Sequence, residues 1–289
     1  MKLCAKCQKN SVFESKETAL CKGHFNEYIF GKASKVLKKY ADKKSKILLA
    51  LSGGKDSVCC FYILSRLGYD FTPVYLDFNF NEKNLRFIKK LSDKFKKEII
   101  ILKSSDYGIE IKKIMDKKSG SNPCVICSTA RRYILNDYGV KNNFEMISTG
   151  HNLTDAINQA LNNMKNNFLL GFKNITPFLK PQKEKKLLGR IKPLYLATDN
   201  EIKFFMEMND IPYFKGKCPY FKGFFFKKYI NDIEKKDKDI LIKMAYSLSN
   251  FSSVIEKTKN DIFISDKLCK ICGYPSSGDT CSFCKMMKY

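Results

Sequence analysis

The chain has 289 residues, the size of one large domain with small attachments or of two domains. A hydrophobic share of 44% excludes a disordered chain; no apolar run nears the ~18 residues of a membrane span, and no leader follows Met1, so a cytoplasmic protein is expected. Fifty-three Lys and Arg against 29 Asp and Glu leave a net charge of +24, which calls for a polyanionic partner, most commonly nucleic acid.

The N-terminus opens on a metal pattern: Cys4-x2-Cys7, thirteen residues, then Cys21-x2-His24. Two pairs of this spacing set four ligands around one tetrahedral Zn²⁺, and in a reducing cytosol they would not be disulfides. Asn26 to Tyr40 follows with apolar residues at helical spacing and a lysine face. Lys46 to Leu51 reads as a buried strand, Ser52 to Ser57 as a turn, and Val58 to Leu67 as a helix, with Cys59 and Cys60 in its core face. Thr72 to Asp77 is a second strand, Asn81 to Lys97 a helix, and Glu98 to Leu102 a third strand. Helices are expected at Tyr107 to Lys117, after Cys124 and at Asp155 to Lys165, with a strand at Met146 to Thr149. This alternation predicts an α/β fold whose parallel sheet is covered on both faces.

Past Gly171 the alternation fades among Pro177, Pro181, Pro193 and Pro212, and Glu201 to Asn209 and Phe224 to Asn250 read as helices beside the sheet. The chain closes on Cys269-x2-Cys272, eight residues, and Cys281-x2-Cys284, a second zinc site. The expected division is a knuckle at 1–30, a nucleotide-binding domain at 31–220, a helical segment at 221–264 and a zinc ribbon at 265–289.

Ser52-Gly53-Gly54-Lys55-Asp56-Ser57 sits between a strand and a helix. Its glycines let the backbone approach a phosphate, which free amides at the helix N-terminus then face. Lys55 can reach phosphate oxygens, and Asp56 would meet Mg²⁺ or cap the helix. The Walker loop differs, needing four residues between its glycines before the lysine. Cys124-Val125-Ile126-Cys127 is a third CxxC with no second pair nearby, and Cys218 is the remaining thiol. Three thiolates could hold a [4Fe–4S] cluster with one open iron; alternatively Cys124 and Cys127 form a redox pair carrying a persulfide, with Cys218 incidental. Spacing alone leaves both open.

Leu51 to Ser57 resembles the PP-loop of the ATP pyrophosphatase (adenine nucleotide α-hydrolase-like) superfamily. Pro123 to Cys127 with Arg131 and Arg132, then Gly150-His151-Asn152-Leu153, then Cys218-Pro219-Tyr220 narrow the resemblance to the TtuA/TtcA family of tRNA 2-thiolation enzymes. Knuckles at both ends look like the TtuA-type branch, which thiolates uridine. The resemblance implies MgATP with its phosphates on Ser52 to Ser57 and its adenine near Tyr75, and close approach of the nucleotide at Gly150. It implies a [4Fe–4S] cluster on Cys124, Cys127 and Cys218 whose open iron carries the sulfur. Lys55 and Arg131 would offset charge at phosphorus, and Asp155 would orient Mg²⁺ or take a proton from the base. The tRNA would lie on the knuckles and lysine-rich helices. Sulfide or a small sulfur-carrier protein would supply sulfur, and a homodimer is the family expectation.

Two departures stand out. The family commonly continues Gly-His-Asn-Leu with Asp-Asp-Glu-Ala, where this chain has Thr154-Asp155-Ala156-Ile157. It often has lysine where Arg131 stands, and arginine keeps the charge but is no proton donor near neutral pH. His151 has either a catalytic role or a structural hydrogen bond near the nucleotide. Competing readings are a PP-loop enzyme using a non-sulfur nucleophile and a zinc-containing RNA-binding protein.

Overall fold

The computed structural model describes residues 2–15, 18–79, 81–111, 113–114, 122–216, 218–220, 223, 225–257 and 267–287. Of the helix expected at Tyr107 to Lys117, residues 112 and 115–117 lie outside them; its start is corrected, because Tyr107 ends a 3-10 turn and Gly108 takes a left-handed φ of +69°, so helix begins no earlier than Ile111.

β1 (Phe13–Glu14) and β2 (Ala19–Leu20) form a small antiparallel ribbon carrying the N-terminal metal pattern. α1 (Lys22–Tyr40) begins between Cys21 and His24 and runs unbroken past residue 30, with Phe25, Ile29, Ala33, Val36 and Leu37 buried. The ribbon is therefore welded to the main body: Phe13 packs on Phe25 at 4.5 Å, and Phe25 on Phe204 at 5.2 Å.

β3 (Ile47–Ala50) is the centre of the sheet. Ile47, Leu48 and Leu49 have no exposure, because a parallel strand covered on both faces has no side for water. Alternation sorts them: Ile47 and Leu49 join the large core with Phe25, Phe61 and Phe205, while Leu48 meets Val74, Leu135 and Ile147 on the other face. α2 (Lys55–Leu67) leads to β4 (Phe71–Asp77), and α3 (Glu82–Phe95) to β5 (Ile100–Lys103). α4 (Pro123–Lys141) then crosses to β6 (Met146–Ser148), on the opposite side of β3. α5 (Leu153–Lys165) follows β6.

Two expectations past Gly171 are corrected. The sheet continues through β7 (Phe178–Leu179) and β8 (Gly189–Ile191), giving the order β5-β4-β3-β6-β8-β7, parallel except for edge strand β7. β8 is three residues long and includes an arginine, so no hydrophobic pattern marks it. After α6 (Asp199–Met208), the long helix expected from Phe224 is two, α7 (Lys227–Lys236) and α8 (Lys238–Lys257). Asp237 is extended and its carboxylate accepts from Asp239 N at 2.9 Å, so it caps α8 instead of continuing α7.

The C-terminal metal pattern and α9 (Ser282–Met287) share a second core with β4 and α4: Phe283 stacks on Tyr133 at 3.6 Å, and Cys269, Cys281 and Met286 sit with Leu76, Ile126 and Ile134. No helix among the described residues is long and apolar enough to cross a membrane.

Candidate active site and metal centres

β3 and β6 are neighbours whose following connections lead away in opposite directions along the sheet. Ligands of such sheets bind in the crevice at this switch point, beyond the carboxyl ends of the strands. The loop after β3 is 51–54 and the loop after β6 is 149–152, so both sequence motifs arrive there. They touch: a Cβ on Gly150 would stand 2.7 Å from Asp56 C and from Ser57 N. Glycine is thus required at 150 by proximity of protein backbone.

The first loop is self-braced. Ser52 N donates to Ser57 Oγ at 3.1 Å, the two serine hydroxyls are 3.0 Å apart, and Gly53 takes a left-handed φ of +83°. Gly54 begins α2, whose first amides receive no side-chain cap. Asp56 is therefore not the helix cap. Its Oδ1 accepts from Lys55 Nζ at 2.6 Å and from Asn152 Nδ2 at 3.1 Å, tying the two loops together. Lys55 also reaches Asp199 Oδ1 at 3.0 Å, and Lys227 Nζ lies 3.2 Å from Asp199 Oδ2. Burial works against the Lys55 ammonium, but Asp56 and Asp199 outweigh it and hold it above the ordinary lysine value.

Two cavities open on this loop. The smaller, about 310 Å³, runs under the end of β4 past Tyr75, Asn84 and Phe214. Burial, with Asp77, pushes the Tyr75 hydroxyl up to about 12, and Asn84 Nδ2 donates to it at 3.4 Å. The larger, about 770 Å³, is walled by His151, Asp155, Arg190, Lys192 and the PP-loop. Cys124, Cys127 and Cys218 all line it, and Cys127, Arg131 and Cys218 face both cavities.

α4 places Cys124 and Cys127 on its first turn, where the Asn122 side chain accepts from Cys124 N and Pro123 occupies the first position. Burial raises the Cys127 thiol, an effect eased by Arg131, whose guanidinium lies 3.7 Å from Sγ. Arg131 Nε is buried with no partner among the described residues, a cation held in reserve at the cavity wall. Cys59 and Cys60 are wholly buried in α2, as core packing requires.

Asp155 closes a capping box with Asn152 at the start of α5 and faces the cavity. Burial, then Asp56 and Asp199, push its carboxyl up from 3.8 to about 6. Thr154 is buried and its Oγ1 accepts from Asp199 N at 3.0 Å, so this departure from the family pattern orients the partner of Lys55 without adding a fourth carboxylate to the cluster. His151 opens onto the cavity and its Nδ1 is 2.9 Å from Thr149 Oγ1. Desolvation by the cavity walls, with Lys192, Arg190, Arg131 and Arg132 nearby, drives the imidazole down to about 4, so it is neutral at physiological pH.

Sequence reasoning did not single out Asp199, Arg190 or Lys192. Burial and Arg190 lower Lys192 to about 8, and its ammonium donates to Asn174 O at 2.6 Å. The available signal for Asp199 was its place in Thr198-x-x-Glu201, a capping box that starts α6 at the crevice.

The metal sets divide by geometry. Zn–S bonds of ~2.3 Å in a tetrahedron put sulfurs ~3.8 Å apart. Cys7 and Cys21 Sγ are 3.6 Å apart, Cys272 and Cys281 Sγ 3.7 Å, and His24 Nδ1 is 3.2 Å from Cys4 Sγ. Both terminal sets keep all four donors within 4.8 Å of one another, which fits one zinc each. Among the described residues no other such set exists; Cys124, Cys127 and Cys218 line one cavity but do not all lie within 4.8 Å of one another, so they are not a third site of the zinc kind.

The family model described as PP-loop domain matches residues 26–220. The tRNA-5-methyluridine(54) 2-sulfurtransferase of Thermotoga maritima is 30% identical over 299 aligned positions, covering 99% of this chain and 96% of that one. Its counterpart in Pyrococcus horikoshii is 31% identical, covering 92% and 86%. The U34-tRNA thiolase NcsA from Methanococcus maripaludis, solved with its [4Fe-4S] cluster, superimposes with a TM-score of 0.81 at 26% identity, covering 100% of this chain and 96% of that one.

Proposed function

The chain belongs to the PP-loop family of TtuA/TtcA-type tRNA 2-thiolation enzymes, and from that premise we propose that it converts a uridine of tRNA to 2-thiouridine with ATP. The observation that carries the reading is the convergence of three unpaired thiols and the PP-loop on one cavity.

ATP lies with its phosphates on the amides of Ser52 to Ser57 and its adenine toward Tyr75, in the smaller cavity. Asp56 is the carboxylate placed to hold Mg²⁺, which would neutralise phosphate charge. The target base, turned out of the tRNA stack, enters the larger cavity. Its O2 attacks the α-phosphorus and pyrophosphate leaves. Lys55 and Arg131 offset the charge developing there. Asp155, with a value about 6, takes the uracil N3 proton near neutral pH. A [4Fe–4S] cluster on Cys124, Cys127 and Cys218 would supply the sulfide-level sulfur that replaces the adenylated oxygen at C2, that oxygen leaving with AMP, and its source would be sulfide or a sulfur-carrier protein. Neutral His151 orients through Thr149 and does not exchange protons. The terminal sets would each hold a zinc that folds its module.

The test is anaerobic incubation of cluster-loaded protein with unthiolated tRNA, MgATP and sulfide, followed by nucleoside mass spectrometry. ATP-dependent 2-thiouridine is expected; its absence from a preparation shown to contain the cluster would overturn the reading.

Asp155 also gives a stability signature. Between pH 3.8 and about 6 the native protein keeps a proton that the unfolded chain has released, so this group destabilises the fold as pH rises, fully above that window. Asp155→Asn keeps a side-chain acceptor for the capping box and removes the penalty. In thermal melts without nucleotide the variant is expected to be more stable than wild type at about pH 7.5 and nearly equal to it at about pH 4, while losing thiolation. An equal offset at both pH values would contradict a raised Asp155.

A further inference from the structure

A third cavity, about 840 Å³, lies outside the site just described, between α1, the β7–β8 hairpin, α8 and the C-terminal metal module. It is continuous with the catalytic cavity, because Arg132, Asn174, Leu179 and Arg190 line both. Six cations face it: Lys35, Lys39, Lys173, Lys180, Arg132 and Arg190. No acidic side chain among the described residues lines it, so the groove is one-signed even against the general basic excess.

The neck between the cavities concentrates this charge. Arg190 is half-buried, and the groups that act on it are Tyr274, which bonds it, and Arg132, which repels it. Arg132 gives its Nε and one Nη2 bond to Ser128, and Lys192 donates to a backbone carbonyl. Among the described residues no salt bridge reaches any of the three, and the one carboxylate that acts on them is Asp155, which lines the catalytic cavity with Lys192. Lys192 is buried and Arg190 half-buried beside the exposed Arg132, and three cations kept this close together are suited to an anion from outside.

The groove is also aromatic. Tyr40 stacks on Phe178 at 5.0 Å, and Tyr246 is 49% exposed with Lys35 donating to its hydroxyl at 3.3 Å. Exposed rings beside lysines are the means by which proteins hold unstacked nucleotides, the ring taking the base and the ammonium the phosphate. Gln182 and Asn250 add amides for base edges, and the volume lies within the usual range of ~300–1,000 Å³ for a bound small ligand.

We propose that this groove holds the tRNA strand adjoining the target nucleotide, with phosphates on Lys35, Lys39 and the Arg132–Arg190 neck and a neighbouring base against Tyr246. The proposal rests on the thiolation reading and adds to it a path: the strand passes along α1 and turns at the neck, so that the target base alone enters the catalytic cavity. The groove thereby sets which flanking nucleotides are tolerated.

The test is equilibrium binding of unmodified tRNA by the holoprotein across a salt series, with Lys35→Ala/Lys39→Ala compared with Lys89→Ala/Lys90→Ala. The second pair is equally exposed, on α3, and lines none of the three cavities. The groove pair is expected to weaken binding about ten-fold and to flatten the slope of log Kd against log salt by roughly 1.5, while the KM for ATP stays put. Tyr246→Ala should weaken binding at least ~5-fold with the slope unchanged. Equal affinities and slopes for the two lysine pairs would overturn the groove, as would intact tRNA binding with loss of activity only when a sulfur-carrier protein is the donor, which would assign the surface to a protein. Wild-type protein from the same preparation is assayed for thiolation in parallel. Its failure there counts against the enzyme reading, whereas a failure confined to the lysine comparison counts against the groove alone.

Discussion

Replacing Cys218 by alanine is expected to abolish thiolation, by at least ~1,000-fold or ~4 kcal/mol of barrier, while ATP binding and tRNA-dependent release of pyrophosphate in a single turnover persist. The split follows from position. Cys218 is exposed, on the connection after α6, and lines both cavities. No core packing depends on it, so the melting temperature should move by no more than about 2 °C. Cys127→Ala should lose thiolation equally but with some loss of stability, since Cys127 is half-buried on α4 and Arg131 would be left facing a void. A thiol whose removal stops sulfur transfer but spares adenylation can only belong to the second half of the reaction. Thiolation surviving in Cys218→Ala would leave the central CxxC as a redox pair and dismiss the three-thiol site.

What the sequence reveals and what it hides divide along physical lines. The two metal sets and the PP-loop are local: four donors within about 20 residues, or six consecutive residues between a strand and a helix, carry their chemistry in their own spacing. Central strands are legible because Ile47 to Leu49 must be apolar on both faces. β8 is not, because its place in the sheet comes from pairing with β6 and not from any pattern in Gly189-Arg190-Ile191. The same holds for the cavity walls. Asp199 meets Lys55 across 144 residues of chain, and Arg190 and Lys192 reach the crevice only because β8 brings them there. Cys218 lay between: its thiol was visible in the sequence, but only the fold sets it beside Cys124 and Cys127. Reach across the sheet is what a one-dimensional reading lacks, and most of the site's electrostatics depend on it.

The second large effect comes from a single methyl group. In Gly150→Ala the new Cβ would lie 2.7 Å from Asp56 C and Ser57 N and 3.0 Å from Asp56 O, all backbone of the first turn of α2. No side chain can swing aside to make room. Either β6 and its loop retreat, pulling Asn152 from its 3.1 Å bond to Asp56, or the first turn of α2 tilts and its phosphate-facing amides move with it. Overpacking of this kind costs ~1–3 kcal/mol of stability. The loss in nucleotide affinity should be larger, at least ~100-fold, because several aligned amides are displaced together and each hydrogen bond to a charged phosphate is worth ~1.5–3 kcal/mol. Gly31→Ala is the control: it sits in α1 with nothing within 4 Å of its Cβ, so it should stabilise the helix by ~0.5–1 kcal/mol and leave ATP affinity alone. The paired measurement is a thermal melt and an equilibrium ATP titration of both variants. Wild-type affinity in Gly150→Ala would mean that the two loops do not press together in solution, and the crevice would have to be built from the first loop alone.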